Sequence, residues 1–240
     1  MLRLLTFGGL ALEVDGSMAT GALTQRRRMA ILALLAAGGE RGVPRDRLLA
    51  LLWPERDAER AGHVLTQLLY AERRDVGSDL FHGTKTLRLN AAVMTSDLAQ
   101  FEAALAAADA ESALRLYHGP FLDGFHLSDA PGFEEWLDRE RRRLADLARG
   151  AAERLARGAV GAPSAVGWWR RAVEIDPYNA GLALALAESL RAAGDRAAAY
   201  RELAAYAERL QRDLELEPEP EVVRMMEVLR SGMGGATRQG

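Results

Sequence analysis

The chain has 240 residues, 49% of them apolar and 27% charged, with a formal net charge of −3; this is the balance of a soluble globular protein with room for one large or two ordinary domains. Cysteine is absent, which excludes a disulfide framework and a thiolate metal site and agrees with a reducing cytosol. No run reaches the roughly 18 apolar residues that a spanning helix needs, and the start, MLRLLTFGGLALEVDG, is too short and too interrupted for a signal peptide, so the expectation is a cytoplasmic protein with no membrane segment.

In chain order, residues 2–7 and 10–14 read as two short strands around Gly8-Gly9. A helix follows from about Gln25 to Ala37 and ends at Gly38-Gly39. Pro44 is expected to open a second helix in its first turn, running through Leu48, Leu49 and Leu52 to Trp53, with Pro54 stopping it. Asp57 is a natural N-cap for a third helix over 58–75. DLFHGTKTLRLN then alternates around Gly83-Thr84, which predicts a hairpin with strands 79–82 and 86–90.

From Asp97 the period becomes helical, with helices predicted over 97–108, 111–118, 131–157, 164–175, 179–193, 196–213 and 219–230. AAADAESALRLY (106–117) echoes RAAGDRAAAYRE (191–202), matching Asp109 with Asp195 and Ala113 with Ala199. A G-D-x-x-x-A turn leading into a second helix is the pattern of a tetratricopeptide-type hairpin. AVEIDPYN (172–179) adds a helix-ending Asp-Pro. The tail SGMGGATRQG, 231–240, reads as disordered.

Strand, strand, three helices and a hairpin is the order of a winged helix-turn-helix, in which the third helix enters the DNA major groove. On the helical wheel the face away from Leu65, Leu68 and Leu69 carries Glu59, His63, Thr66, Gln67, Tyr70, Arg73 and Arg74. Those types suit base edges and phosphates: Gln for adenine, Arg for guanine or phosphate, Thr for a thymine methyl. The plain alternative is an exposed face whose arginines are merely solvated. Lys85 and Arg88 on the hairpin are placed for phosphate contact. Arg26, Arg27 and Arg28 point in different directions; phosphate contact and a solvated helix start are both open. Residues 1–92 hold 13 basic against 10 acidic residues, a charge of +3, and the rest 18 against 24, a charge of −6. A mildly basic first part permits a nucleic-acid surface without demanding one.

Glu72 falls in the middle of the apolar stripe of the third helix, where another leucine is expected. Two readings stand. Glu72 sits at the rim of the core and pairs with an arginine such as Arg88 or Arg28, so that Glu72→Leu raises the melting temperature; or it weakens the seat of the helix. Elsewhere the four histidines lack metal-ligand spacing, and no phosphate-cradling glycine loop is present. Neither an enzyme, a cofactor nor a metal is therefore expected. Trp168 and Trp169 cannot both point inward from one helix; inter-helix packing is the plain reading, and a groove or ligand surface the sharper one.

The order of these parts resembles the Streptomyces antibiotic regulatory protein (SARP) type of transcriptional activator. The stretches that carry the likeness are LRLLTFGGLALEVDG (2–16), RDRLLALLWPERDAERA (45–61), LLYAERRDVG (68–77), GTKTLRLN (83–90), DLAQFEAAL (97–105), LYHGPFLDGF (116–125), FEEWLDRERRRL (133–144), RRAVEIDPYN (170–179) and LRAAGDRAAAYRELAAYAERLQRDLELEPEPE (190–221). The resemblance implies a mainly α chain: an OmpR-like winged helix-turn-helix (α+β), then an all-α, tetratricopeptide-like bacterial transcriptional activation domain. It implies a sequence-specific activator that binds promoter DNA, commonly as a homodimer on direct repeats, and recruits RNA polymerase. Carried over by position, Arg60, His63, Thr66, Gln67, Tyr70, Arg73 and Arg74 would face DNA, with Lys85 and Arg88 on the wing. The loop Trp53, Pro54, Glu55, Arg56, Asp57 would face the polymerase. The sequence departs from the family at Glu72, where a leucine is usual, and at Gly62-His63.

The expected division is a DNA-binding domain over 1–92, a helical-repeat domain over 93–230 and a tail over 231–240. The competing expectation is a protein-interaction module whose winged helix no longer reads sequence, favoured by Glu72, Gly62 and the low basic excess.

Overall fold

The computed structural model describes residues 1–77, 79–159, 161 and 163–234. The chain forms two compact units, Met1–Leu144 and Ala145–Gly240. In chain order the first unit contains β1 (Leu2–Leu5), β2 (Ala11–Val14), β3 (Ser17–Met18), α1 (Arg26–Gly38), β4 (Val43–Pro44), α2 (Arg45–Leu52), α3 (Ala58–Val76), β5 (Phe81–His82), β6 (Thr86–Leu89), β7 (Met94–Ser96), α4 (Asp97–Ala106) and α5 (Ala110–Leu116). Next comes α6 (Pro131–Gly158), whose first half belongs to the first unit and whose second half belongs to the second. The second unit continues with α7 (Pro163–Ile175), α8 (Ala180–Ala192), α9 (Arg196–Leu214) and α10 (Pro220–Gly234). The fold is mainly α, with an α+β winged-helix region first and a helical-repeat region after it.

The predicted opening hairpin is present, β1 against β2 with Leu4 opposite Leu12. It belongs to a four-stranded sheet, β3-β2-β1-β7. β7 lies parallel to β1, with Leu2 beside Met94, so the sheet is completed by a strand from beyond the winged helix. The Asp97 carboxylate, buried at the start of α4, secures the join. It accepts the Thr6 N–H at 2.8 Å and the Phe7 N–H at 3.1 Å, the Thr6 hydroxyl at 2.6 Å, and its neighbour's N–H from Leu98. The Phe7 ring then packs 5.1 Å from Phe101 and 5.0 Å from Tyr117, centroid to centroid.

Pro44 differs by one position from its expected role. It caps α2 from outside and pairs with Thr86 in β4, because a residue without an N–H suits a strand edge as well as a first turn. The second sheet runs β4-β6-β5. Its hairpin is shorter than predicted, 81–82 against 86–89. Gly83 makes the turn at φ +90, where a Cβ would lie 2.0 Å from the Thr86 carbonyl oxygen.

In the second unit a core of Leu186, Leu190, Leu203, Tyr206, Leu210, Val222 and Leu229 joins α8, α9 and α10. The internal echo is structural. Asp109 caps α5 by accepting the Ser112 N–H, and Asp195 caps α9 by accepting the Ala198 N–H. Ala113 and Ala199 are fully buried where the paired helices meet. Both turns need a left-handed residue: Gly194 at φ +87 in one, Ala108 at φ +59 in the other. Trp168 and Trp169 are both half-buried, and the Arg157 guanidinium lies 5.8 Å over the Trp169 ring. Residues 231–234 continue α10, and the rest of the predicted tail, 235–240, lies outside the described residues.

Candidate nucleic-acid interface

The start of α3 is set by Asp57, which accepts the Arg60 N–H at 2.9 Å, and its end by Gly77 in the left-handed conformation. Ala61, Leu65, Leu69 and Glu72 are its buried residues. At about 100° per residue, Arg60, His63, Thr66, Gln67, Tyr70, Arg73 and Arg74 then fall on one arc of about 140°, opposite that stripe. All seven are exposed, as are Lys85 and Arg88 on the hairpin. Glu59 lies on the same arc and opposes its positive charge.

The arc is not uniformly free. Arg73 turns toward the hairpin, donating to the Phe81 carbonyl at 3.3 Å and lying 3.5 Å from the Asp79 carboxylate. Arg74 lies 3.0 Å from Asp75, and Arg60 3.2 Å from Asp57. Thr66 is also engaged: its hydroxyl donates to the Gly62 carbonyl and accepts from Arg45, a residue absent from the sequence-derived set. Arg45 was missed because it opens α2 and reaches α3 only through the tertiary fold.

Glu72 is not at the rim. It is 2% exposed, and its Oε1 lies 2.7 Å from Nε of Arg28, which is 3% exposed. The other face of the Arg28 fork bonds Asp75 Oδ2 at 2.9 Å from both terminal nitrogens. Burial works against the Arg28 charge, but the two carboxylates outweigh it and hold its pKa above the ordinary value. Arg28, and secondly Arg74, hold the Asp75 carboxyl below the usual carboxylate range. One arginine of α1 thus clamps two turns of α3. Arg28 was one of the two partners proposed for Glu72; Arg88 is exposed on β6 and is not in the clamp.

The three arginines at the start of α1 each have a partner in the protein, although only Arg28 is buried, Arg27 being half-buried and Arg26 exposed. Arg26 donates to the His126 carbonyl at 2.7 Å. Arg27 donates to the Leu52 carbonyl at 3.2 Å, pairs with Asp129 at 2.6 Å and lies 5.6 Å over the Trp53 ring. Burial removes Arg28 from both expected roles, phosphate contact and a solvated helix start, while Arg26 stays exposed beside its carbonyl partner. Trp53 itself is buried, while Pro54, Glu55, Arg56 and Asp57 are exposed and form the outer part of the α2–α3 loop. Among the described residues no group of three or more histidine, aspartate or glutamate side chains is placed to hold a metal ion, and no helix is long and apolar enough to cross a membrane.

A winged helix carrying a polar arc on its third helix, followed by helical hairpins, is the architecture of a transcription-regulator class. The bacterial transcriptional activator domain model matches residues 85–230. The chain belongs to that family. Its fold is similar to that of EmbR of Mycobacterium tuberculosis, solved in complex with a low-affinity phosphopeptide, with a TM-score of 0.62 and 21% identity over 96% of this chain and 65% of that one. At this identity the likeness speaks for the fold, and the chain spans 65% of the length of that EmbR chain. No curated protein matches this chain.

Proposed function

We propose that the protein is a transcriptional regulator of the SARP type, which binds promoter DNA with α3 in the major groove and the β5–β6 hairpin as its wing. The observation that carries this reading is the exposed arc of α3, with amide, hydroxyl, imidazole, phenol and guanidinium groups, held from its other side by the buried Arg28–Glu72 pair and its link to Asp75. A helix that reads bases must be held in register with the rest of its domain, and the clamp supplies that support. In this reading residues 1–92 carry DNA contact and 93–230 carry dimerisation or partner contact. The exposed loop residues Pro54, Glu55, Arg56 and Asp57 face RNA polymerase, and the protein works in the cytoplasm as an activator, as a homodimer on direct repeats.

One observation favours the second reading, an interaction module that does not read sequence. Arg73, Arg74 and Arg60 are each matched by a nearby carboxylate, which lowers the positive potential of the arc. Selection of genomic DNA fragments on the purified protein separates the two. The DNA-reading protein enriches a short repeated motif, and Gln67→Ala with Arg74→Ala loses it. Affinity at two salt concentrations then counts phosphates, with a slope of about 0.9 per contact. Equal, weak binding by both proteins with no motif would establish the interaction module instead.

A further inference from the structure

We propose that Thr66 reads the methyl group of a thymine, and that Arg45 is the positioning residue that commits it to this use. The proposal rests on α3 lying in the major groove, as above.

The Thr66 hydroxyl donates to the Gly62 carbonyl at 2.9 Å and accepts from Nη2 of Arg45 at 2.8 Å. A hydroxyl has one proton and two lone pairs. Its proton is therefore used inside the helix, and one lone pair faces a cation. Thr66 has no hydrogen left to give to the acceptor atoms of guanine, adenine N7 or thymine O4. What remains is one lone pair, which can only accept from the amino group of adenine or cytosine, and the methyl, whose rotamer the bond to the preceding turn fixes.

Arg45 is suited to hold this arrangement. It is half-buried at the start of α2, and its backbone N–H donates to the Lys85 carbonyl in the hairpin turn at 2.9 Å. One residue thereby ties together α2, the wing and the exposed face of α3.

The neighbours of Thr66 have matching chemistry. Gly62, Thr66 and Tyr70 follow at four-residue spacing and so stack in one column along the helix. A Cβ added at Gly62 would meet nothing within 4 Å, so nothing inside the protein requires a glycine there, although glycine weakens a helix interior. The notch it leaves opens outward. Tyr70, one turn beyond Thr66, is 69% exposed. The column is uncharged on an arc otherwise rich in charge. In the major groove the apolar group a base pair offers is the thymine C5 methyl.

The test uses the full chain and the DNA site it selects. Each thymine of the site is replaced singly by deoxyuridine, which lacks only the methyl, and affinity is measured for each. The wild type should lose about three- to fivefold at one thymine per half-site, the order expected for one buried methyl. Thr66→Ser, which has no methyl, should abolish the ratio, and Thr66→Val, which keeps the methyl but not the hydroxyl that Arg45 holds, should retain it only in part. Arg45→Gln should shrink the ratio of thymine to uracil affinity as well as lowering overall binding. Retention of the full ratio by Thr66→Ser, or no sensitive thymine in a site that the wild type does select, would overturn the proposal and leave DNA reading intact. An unchanged ratio in Arg45→Gln, with uniformly weaker binding, would make Arg45 a phosphate contact and remove its positioning role. If the wild type selects no site, both readings fall together.

Discussion

Arg28 of α1 and Glu72 of α3 form an ion pair with both side chains excluded from solvent, the Nε of one 2.7 Å from the Oε1 of the other. Glu72 Oε2 is buried without a protein partner, so the pair supports α3 at a cost in desolvation. Removing one partner of a buried pair is worse than removing both. Glu72→Leu strands the buried Nε of Arg28 while Asp75 still holds its two terminal nitrogens, so it should destabilise the protein by about 1–3 kcal/mol, and adding Arg28→Met should recover part of that loss. Urea unfolding of the wild type, the single and the double variant checks it. A raised midpoint for Glu72→Leu alone would show that the pair contributes nothing.

The same clamp has a pH signature. Arg28 and Arg74 hold the folded Asp75 carboxyl below its ordinary value of 3.8, so its contribution to stability is complete above that value and is lost as pH falls through the lower, folded one. The difference in urea midpoint between wild type and Asp75→Asn should be constant from pH 7 to about pH 5 and should vanish in stronger acid. A difference that persists unchanged to the acid limit would mean that the charge of Asp75 is not what matters.

A fragment ending at residue 92 lacks β7, Asp97 and the rings of Phe101 and Phe121 that surround Phe7. It leaves two backbone N–H groups of the β1 end without their carboxylate. Residues 1–92 alone should show collapsed, poorly dispersed amide spectra, and residues 1–144 should give a dispersed spectrum and a cooperative melt. Native-like dispersion in the shorter fragment would show that β7 and α4 are accessories to the winged helix.

Gly62 offers a trade-off. Gly62→Ala should stabilise α3 by about 0.5–1 kcal/mol, since the added methyl meets no protein atom. If the notch admits a base edge, the same change weakens binding to the selected site. Thermal melts and binding of the one variant give both signs, and a gain in both would assign Gly62 no part in recognition.

Ala108 holds a left-handed backbone at φ +59, where its counterpart in the repeat is Gly194. That conformation costs an alanine about 1–2 kcal/mol, and glycine gives back about 0.4–1 through the unfolded chain. Ala108→Gly should therefore gain about 0.5–1 kcal/mol in unfolding free energy. A loss on substitution would show that the alanine methyl packs better than its backbone is strained.

Long helices were legible because their signals are local. α3 carries its own cap at Asp57, its own leucine stripe and its own stop at Gly77, and its predicted limits are off by one residue. The exposed arc was legible for the same reason, since exposure follows from the side opposite the leucines. What could not be read are features defined by partners far along the chain. β3, β4 and β7 are two or three residues long and are strands only through their neighbours. The pattern puts Glu72 in the middle of the apolar stripe and only its polarity argued for the rim; its burial depends on Arg28, 44 residues earlier. Arg45 meets Thr66 only once α2 has folded against α3 and the hairpin.

The parallel pairing of β1 with β7 also dictates an order of events. Thr6 waits for a carboxylate 91 residues further along the chain. As the polypeptide emerges from the ribosome, β1 and β2 can be joined only by the two-residue β3, and so narrow a ribbon is marginal in water by itself. Its open side is completed once the whole winged helix has been synthesised and α4 has begun. Closing so long a loop is slow compared with winding a helix. The first strand to be made is thus among the last to be locked, and the nascent chain carries an unpaired edge, a place where newly made copies can pair wrongly with one another, until Asp97 arrives.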